Sequence, residues 1–214
     1  MPSIYQLKPA FQNLLRPCVK KLYSVGITAN QVTLFAMLIS IIIAPYLYLH
    51  FLQHSPSILL LILPLWMLIR MGFNAVDGML AREFGQQSDL GAFYNELCDV
   101  IADTALYLCF LAFGFIQPEL LLLIVFLAIL SEYAGVMAPL IGQSRRYDGP
   151  MGKSDRAFAF GLLAVIIVVF PFFSNEFQYR AYIANGLLGI IGILLAITIY
   201  NRIKNSLENS SENK

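Results

Sequence analysis

The chain has 214 residues, of which 58% are hydrophobic and 13% are charged, and its formal net charge is +1. Soluble domains have about 45–50% apolar and about 25% charged residues, so this composition predicts an integral membrane protein. The near-neutral charge argues against a nucleic-acid-binding surface, and the three cysteines follow neither a disulfide nor a zinc-ligand pattern.

The first 30 residues carry apolar side chains at helical spacing on one side and basic side chains on the other. This pattern predicts an interfacial amphipathic helix over residues 1–30, kinked at Pro9 and Pro17, with an ordinary solvated leader as the alternative. The apolar positions are Ile4, Leu7, Phe11, Leu14, Leu15, Val19 and Leu22.

About 20 predominantly apolar residues cross the hydrocarbon core of a bilayer as a helix. Six segments meet this condition, at residues 31–52, 58–80, 90–116, 120–141, 158–173 and 182–200. We therefore predict an all-α integral membrane fold in which six transmembrane helices (31–200) follow the interfacial helix and precede a polar tail (201–214). No internal repeat or long linker divides the chain, so residues 1–214 are predicted to form a single domain.

The distribution of Lys and Arg predicts that both termini face the cytoplasm. In that orientation Arg70 lies within the membrane, the outer loops hold only Arg180, and the inner segments hold the other twelve of the 14 basic residues. These twelve are Lys8, Arg16, Lys20, Lys21, Arg82, Arg145, Arg146, Lys153, Arg156, Arg202, Lys204 and Lys214. The loop containing Arg82 is then expected at the cytoplasmic surface.

A charged block, NAVDGMLAREFGQQSDLGAFYNELCDVIAD from Asn74 to Asp103, interrupts the apolar second and third spans. Asn74 and Asp77 are three residues apart and share one helix face. Asn95, Asp99 and Asp103 are spaced by four and form one stripe on the next helix. Two antiparallel helices joined by a short turn would bring these faces together as a pocket of oxygen ligands. Such ligands suit Mg²⁺ or Mn²⁺, and intramembrane carboxylates generally indicate function, with plain interhelical hydrogen bonding as the alternative.

Small side chains beside this pocket would admit a phosphate group. Gly78 and Ala81 leave one side of the second span nearly bare, so a ligand could approach the backbone closely. Arg82, at the mouth of the pocket, could pair with a phosphate or with a carboxylate. The residues therefore predict a metal-and-phosphate site at the membrane surface.

The spacing of these residues resembles the signature of the CDP-alcohol phosphatidyltransferase family, DxxDGxxARx8GxxxDxxxD. The matching residues are Asp77, Gly78, Ala81, Arg82, Gly91 and Asp99. Two weaker similarities are GITANQVT (26–33), with Ala29 where the family pattern GxTPNxxT has Pro, and the basic segment GKSDR (152–156). The resemblance covers nearly the whole chain and is closest to an inner-membrane branch with Asn at two of the four family Asp positions.

This resemblance implies a transferase of phospholipid biosynthesis. Such enzymes move a phosphatidyl, or another substituted phosphoryl, group from a CDP-alcohol such as CDP-diacylglycerol to an acceptor alcohol and release CMP. The reaction would be metal-dependent, and the active site would face the cytoplasm. A homodimer in the inner membrane is the assembly that the family suggests, with membrane lipid and both substrates as partners and no nucleic acid.

The resemblance also assigns roles to positions in this sequence. The residues that would hold Mg²⁺ or Mn²⁺ are Asn74, Asp77, Asn95 and Asp99. Asp99 would additionally serve as the general base. The residues that would bind the cytidine diphosphate substrate are Gly78, Ala81, Arg82 and Gly91.

The two asparagines change the charge of the predicted metal site. Asn offers a carbonyl oxygen but no charge, so Asp77 and Asp99 supply two negative charges where the family has four. Two charges suit one divalent ion, although Asp103 could add a third or act as a hydrogen-bond partner. We therefore expect one tightly held ion and a second site that stays weak until the diphosphate of the substrate contributes oxygens.

Arg70 lies four residues before Asn74 on the same helix face and needs a partner because it is within the membrane. The candidates are Asp99, Asp103 and Glu132. Arg70 either replaces part of the charge of a missing metal ion or forms a structural ion pair. Arg70 and Asp103 are accordingly included among the candidate substrate-binding residues.

Two functions compete with catalysis. A degenerate relative would bind CDP-lipid or another anionic lipid without turnover, which the two asparagines favour. A transporter or ion pathway would also carry intramembrane charges, but the sequence shows no inverted repeat. The acceptor is not specified: Lys153 and Arg156, with neighbouring arginines, could bind a phosphorylated acceptor, or could simply follow from the orientation of the chain.

Overall fold

The computed structural model describes residues 7–173 and 176–212, and these residues fold as helices joined by short turns with no strand among them. The α-helices are α1 (Leu7–Ser24), α2 (Ala29–Gln53), α3 (Ile62–Glu83), α4 (Asp89–Leu108), α5 (Pro118–Met137), α6 (Lys153–Val169) and α7 (Phe177–Glu212). Single-turn 3₁₀ helices extend four of them, at Ile58–Leu61, Cys109–Ala112, Ala138–Ile141 and Phe170–Phe172. The all-helical class predicted from the sequence is confirmed.

Within the described residues, five helical segments are long and apolar enough to cross a membrane. They are Ala29–Gln53, Ile58–Glu83, Pro118–Ile141, Lys153–Phe172 and Phe177–Glu208. A multi-pass membrane protein is therefore confirmed. The remaining predicted span falls on α4, whose 20 residues include three acidic side chains in its interior, Glu96, Asp99 and Asp103. Length and hydropathy alone do not identify α4 as a span, so the count of six stays a prediction.

The predicted interfacial segment begins before the described part of the chain, since residues 1–6 lie outside it. Its helix is α1, and Pro17 lies inside that helix. The predicted polar tail overlaps the end of α7, which continues as a helix to Glu212. The last two residues of that tail, Asn213 and Lys214, also lie outside the described residues.

The described chain forms two compact units. The first unit contains the chain up to Ile42 together with Leu68–Asp103, and the second contains Ile43–Met67 together with the chain from Thr104 onward. In the first unit, α1 packs its apolar face on the start of α2 and the end of α3. The buried residues at this contact are Val19, Ala29, Val32, Val76, Met79 and Leu80. An exposed ion pair between Arg16 and Glu83 (3.0 Å) joins α1 to α3 beside this core.

The turn between α1 and α2 explains the GITANQVT segment. Gly26 adopts φ = +81°, and the Ile27 amide donates to the Leu22 carbonyl (3.0 Å), an arrangement that ends a helix and favours Gly. Thr28 then caps α2: its hydroxyl accepts from the Gln31 amide (3.3 Å), and the Gln31 side chain accepts from the Thr28 amide (2.9 Å). The segment therefore fixes where α2 begins.

In the second unit, the loop between α5 and α6 lies against α7. Gly149 adopts φ = +114°, and a Cβ at this position would lie 2.6 Å from the Thr198 Cα. The Met151 amide donates to the Thr198 hydroxyl (2.9 Å). Only Gly allows this close approach, so the loop is held on the helix by its backbone.

Candidate functional site

A cavity of about 330 Å³ opens in the first unit between the start of α2, the end of α3 and the start of α4. Its size falls within the range of ligand clefts, roughly 300–1,000 Å³. Six of the predicted site residues line it: Asp77, Gly78, Ala81, Arg82, Gly91 and Asn95. The structure therefore brings the two halves of the charged block together around one cavity.

Asp77 is buried on the wall of this cavity. The Thr33 hydroxyl of α2 donates to Asp77 Oδ2 over 2.6 Å. A hydrogen bond to a charged group stabilises by roughly 1.5–3 kcal/mol, so Thr33 holds the carboxylate in one orientation.

The glycines of the cavity are positions where a side chain would collide with polar groups. A Cβ at Gly78 would lie 2.8 Å from Arg82 Nη2, and the Arg82 guanidinium therefore lies across the bare side of α3. A Cβ at Gly91 would lie 2.7 Å from Asn30 Oδ1 and 3.0 Å from Ser88 Oγ. Because both positions lack a side chain, polar groups of Arg82, Asn30 and Ser88 can line the cavity closely.

The turn between α3 and α4 connects these elements. The Gln86 side-chain oxygen accepts from the Ala29 amide (2.7 Å), so the turn is tied to the start of α2. The GxTPNxxT pattern has Pro at position 29, which would lack this N–H. Ala29 therefore makes a hydrogen bond that the usual Pro could not make. Ser88 caps α4 by accepting from the Gly91 amide (3.0 Å).

A second cluster of charges joins α3 to α4. Arg70, whose side chain is only 5% exposed, donates through Nη2 to both Oδ1 and the carbonyl oxygen of Asp99, each over 3.1 Å. Its Nη1 pairs with Asp103 Oδ1. One guanidinium thus bridges two carboxylates a helical turn apart, and Glu132, the third candidate partner from the sequence, has other partners.

The donor set of the first unit suits a divalent ion with oxygen ligands. Asp77 and Asn95 line the cavity and offer a carboxylate and an amide oxygen, while Asp99 is 19% exposed and contacts Arg70. Asn74 is half-buried on α3. Carboxylate, amide and carbonyl oxygens are the ligands that Mg²⁺ and Mn²⁺ prefer. Among the described residues, no group of three or more His, Cys, Asp or Glu side chains is placed to hold a metal, so the asparagines or a ligand must complete any such site.

Lys153 and Arg156 lie in the second unit. Lys153 is the half-exposed first residue of α6. Arg156 is buried, and its Nη1 lies 2.8 Å from Glu132 Oε1. The same carboxylate also contacts Arg145 (3.1 Å) and Arg202 (3.5 Å). Three arginines therefore surround one glutamate.

The loop beside this arginine cluster carries a further ion pair. Arg146 contacts Asp148 over 2.7 Å. Burial opposes ionisation of Asp148, but hydrogen bonds from Arg146 and Asn205 hold the pKa of this carboxyl below its ordinary value. Arg202 also donates through Nε to the Asp148 carbonyl oxygen (3.2 Å), which ties the loop to α7.

Several residues at these sites were not singled out from the sequence. Asn30 and Thr33 belong to the GITANQVT segment, so that segment carried a signal for them. For Gln86 and Ser88, the only signal in the sequence was their position just before a predicted helix start. The sequence carried no signal for Arg202, because it lies 70 positions after Glu132.

The chain is similar to known proteins over most of its length. The pattern of the family described as CDP-alcohol phosphatidyltransferase matches residues 26–199. The inner membrane protein YnbA of Escherichia coli (strain K12) is 43% identical over 210 residues, which cover 98% of this chain and 99% of that protein. The archaetidylinositol phosphate synthase of Pyrococcus horikoshii is 23% identical over 198 residues, covering 92% of this chain and 93% of that protein.

Crystal structures of the Mycobacterium tuberculosis phosphatidylinositol phosphate synthase have a similar fold. The structure with CDP-DAG bound aligns with a TM-score of 0.70 at 22% identity and covers 89% of this chain and 92% of that one. The structure in complex with manganese and citrate aligns equally well, with a TM-score of 0.70 at 22% identity, covering 89% and 88%. At this level of identity the likeness demonstrates a shared fold.

Proposed function

This chain belongs to the CDP-alcohol phosphatidyltransferase family, and from that membership we propose that it transfers a phosphatidyl group from a CDP-alcohol to an acceptor alcohol and releases CMP. CDP-diacylglycerol is the donor we favour. The supporting observation is the cavity of about 330 Å³, where six family-signature positions lie together.

The cavity is suited to the nucleotide diphosphate. Gly78 and Ala81 present little side chain, so a flat base or a phosphate can approach α3 closely. The Arg82 guanidinium lies across this surface and supplies donors for phosphate oxygens. Gly91 leaves room on the α4 side, beside Asn30 and Ser88.

We propose that the reaction uses Mg²⁺ or Mn²⁺ held by Asp77 and Asn95 with Asn74 and Asp99. When bound, such an ion neutralises diphosphate charge while the phosphorus is attacked. Asp99 would accept the proton of the acceptor hydroxyl, since it is a carboxylate at the family position of the general base. Arg70 orients Asp99 through the contact at Oδ1.

For the membrane arrangement, we propose that α4 is the remaining span, which makes six, and that residues 1–214 form one membrane domain with both termini in the cytoplasm. The excess of Lys and Arg in the segments assigned to the inner side supports this orientation. The cavity would then open toward the cytoplasm, where CDP-lipids present their water-soluble end. By analogy with the family we propose a homodimer, for which light scattering in nanodiscs is the measurement.

The acceptor is proposed to be a phosphorylated alcohol. Two relatives are named as synthases of inositol phosphate lipids, and Lys153 at the start of α6 could contact such a phosphate. Arg156 pairs with Glu132 and is 2% exposed, so its proposed contribution is to hold Glu132 rather than to touch the acceptor. Incubation with CDP-diacylglycerol and a panel including inositol phosphate and glycerol phosphate would identify the acceptor from the mass of the lipid product.

A second candidate function is binding of CDP-lipid without turnover. The observations that favour it are the neutral Asn74 and Asn95 and the engagement of Asp99 by Arg70. This alternative predicts that CDP-diacylglycerol raises the melting temperature of the protein while no CMP is produced.

We expect purified protein in nanodiscs to release CMP from CDP-diacylglycerol when an acceptor and Mg²⁺ or Mn²⁺ are present. The assay measures CMP by chromatography, with a divalent chelator as the control that should stop release. Thermal stabilisation by CDP-diacylglycerol in the absence of any CMP, over the whole acceptor panel, would favour the binding-only alternative.

Gly78→Ala is expected to weaken binding of CDP-diacylglycerol about tenfold, the effect of disturbing one charge-assisted hydrogen bond. The new Cβ would lie 2.8 Å from Arg82 Nη2, so the guanidinium must leave its position. Titration of the ligand against intrinsic fluorescence or melting temperature measures the Kd. The matched control is Gly72→Ala on the same helix, where a Cβ meets nothing within 4 Å; equal affinity in both variants would contradict this role of Gly78.

A further inference from the structure

We propose that the guanidinium of Arg70 takes the place of one of two divalent cations, so that this site holds a single tightly bound metal ion beside a built-in positive charge. The inference rests on the proposed function and concerns the number of ions rather than the reaction. Its basis is the ion-pair network between α3 and α4.

The first observation is the position of the Arg70 guanidinium. This group bridges Asp99 and Asp103, two carboxylates on successive turns of one stripe of α4. Arg70 is buried, and a guanidinium keeps its proton at any ordinary pH. A permanent positive charge is therefore fixed against Asp99, the carboxylate at a family metal-ligand position.

The second observation is where negative charge is missing. Asn74 lies one turn from Arg70 on α3, and Asn95 lies one turn from Asp99 on α4. Each asparagine keeps an oxygen donor and removes one negative charge relative to the family pattern. The positions that lack this charge are thus each one helical turn from a member of the Arg70–Asp99 ion pair.

The charges of the cluster balance one divalent ion. The count covers the proposed metal ligands and the partners of Arg70, and leaves out Arg82, which is assigned to the phosphates of the substrate. Within that set Asp77, Asp99 and Asp103 carry three negative charges, and Arg70 carries one positive charge. Two negative charges remain, which match one Mg²⁺ or Mn²⁺. A second divalent ion near Asp99 would face both the Arg70 cation and a site without compensating charge, and like charges at close range in a low-dielectric setting repel strongly.

The effect of the two asparagines on the second ion also depends on Arg70. If both asparagines were Asp, the cluster with Arg70 would carry four negative charges, and a second ion would be compensated but would still compete with the guanidinium for Asp99. Restoring the carboxylates should therefore not suffice while Arg70 remains. Removing Arg70 as well should open the second site.

The test counts Mn²⁺ per chain in nucleotide-free protein, in phosphatidylcholine nanodiscs, from the loss of the free-ion electron paramagnetic resonance signal. We expect one tight Mn²⁺ in the wild type. In Asn74→Asp/Asn95→Asp we expect one tight ion and a second at least about tenfold weaker. Adding Arg70→Met to this pair should yield two tight ions.

The matched control is Asn74→Asp/Asn95→Asp with Arg70→Lys, which keeps the positive charge and should still hold one tight ion. Size-exclusion profiles establish that each variant is folded. If the Arg70→Met variant does not fold, the double variant with Arg70 intact decides the matter. Two tight ions in the wild type, or in the double variant with Arg70 in place, would overturn the proposal, as would the absence of Mn²⁺ binding.

The metal count needs no turnover, so it separates this inference from the proposed function. A chain that binds one Mn²⁺ and releases no CMP would contradict the proposed activity and leave the role of Arg70 standing. Release of CMP by a wild-type chain that holds two tight Mn²⁺ ions would support the proposed activity and contradict the role given to Arg70.

Discussion

Asp99→Asn is expected to lower the rate of CMP release about 10³-fold, within the range that a general base contributes. The amide cannot accept the proton of the acceptor hydroxyl, but it keeps an oxygen that can accept from Arg70. The fold should therefore persist, as judged by size exclusion and by the melting temperature. The rate is measured with saturating CDP-diacylglycerol and acceptor.

The matched control for this variant is Asp103→Asn. Asp103 lies one turn further along α4 and pairs with the same guanidinium, yet it is not assigned to proton transfer. At a saturating concentration of Mg²⁺ or Mn²⁺ we expect its rate to fall by less than about tenfold, well short of the loss in Asp99→Asn, because a base at Asp99 is retained. An equal loss in both variants would show that the shared ion pair matters rather than a base at Asp99.

Glu132→Gln is expected to lower the free energy of unfolding by about 3–5 kcal/mol, the usual cost of breaking a buried ion pair. Glu132 is 12% exposed, and its carboxylate faces Arg145, Arg156 and Arg202. With the carboxylate gone, three guanidinium groups repel one another. A fall in Tm on the order of 10 °C should follow, measured on detergent-purified protein.

Glu83→Gln is the control for this second substitution. Glu83 also belongs to an ion pair, but its partner is the exposed Arg16, and both side chains are more than a third exposed. Exposed ion pairs contribute little to stability because water and salt screen them, so a small change in Tm is expected. Comparable shifts for Glu83→Gln and Glu132→Gln would contradict the weight given to burial.

The transmembrane helices could largely be predicted because hydropathy depends on local sequence alone. Their ends could not. The predicted span 182–200 stops before Arg202, where apolar residues give way to polar ones, whereas α7 continues to Glu212 because polar residues also form helices. The predicted span 90–116, by contrast, is longer than α4. The α-helix ends at Leu108 and a 3₁₀ turn begins at Cys109, although the segment is apolar on both sides of this point.

The cavity residues could be predicted because they lie at helical spacing on two consecutive helices joined by a short turn. The partners of the buried charges could not be predicted from the sequence. The sequence required a partner for Arg70 and offered three, but the choice depends on how α3 and α4 are rotated against each other. Glu132 became the centre of an arginine cluster that includes Arg202, and spacing along the chain carries no information about that contact.

The length of α7 has a practical consequence for experiments on this protein. Its 36 residues extend about 54 Å at 1.5 Å per residue, whereas the hydrocarbon core of a bilayer is about 30 Å thick. The excess corresponds to about four turns of helix. A spin label near Leu207 would therefore move together with α7, and its orientation would report the tilt of this helix directly.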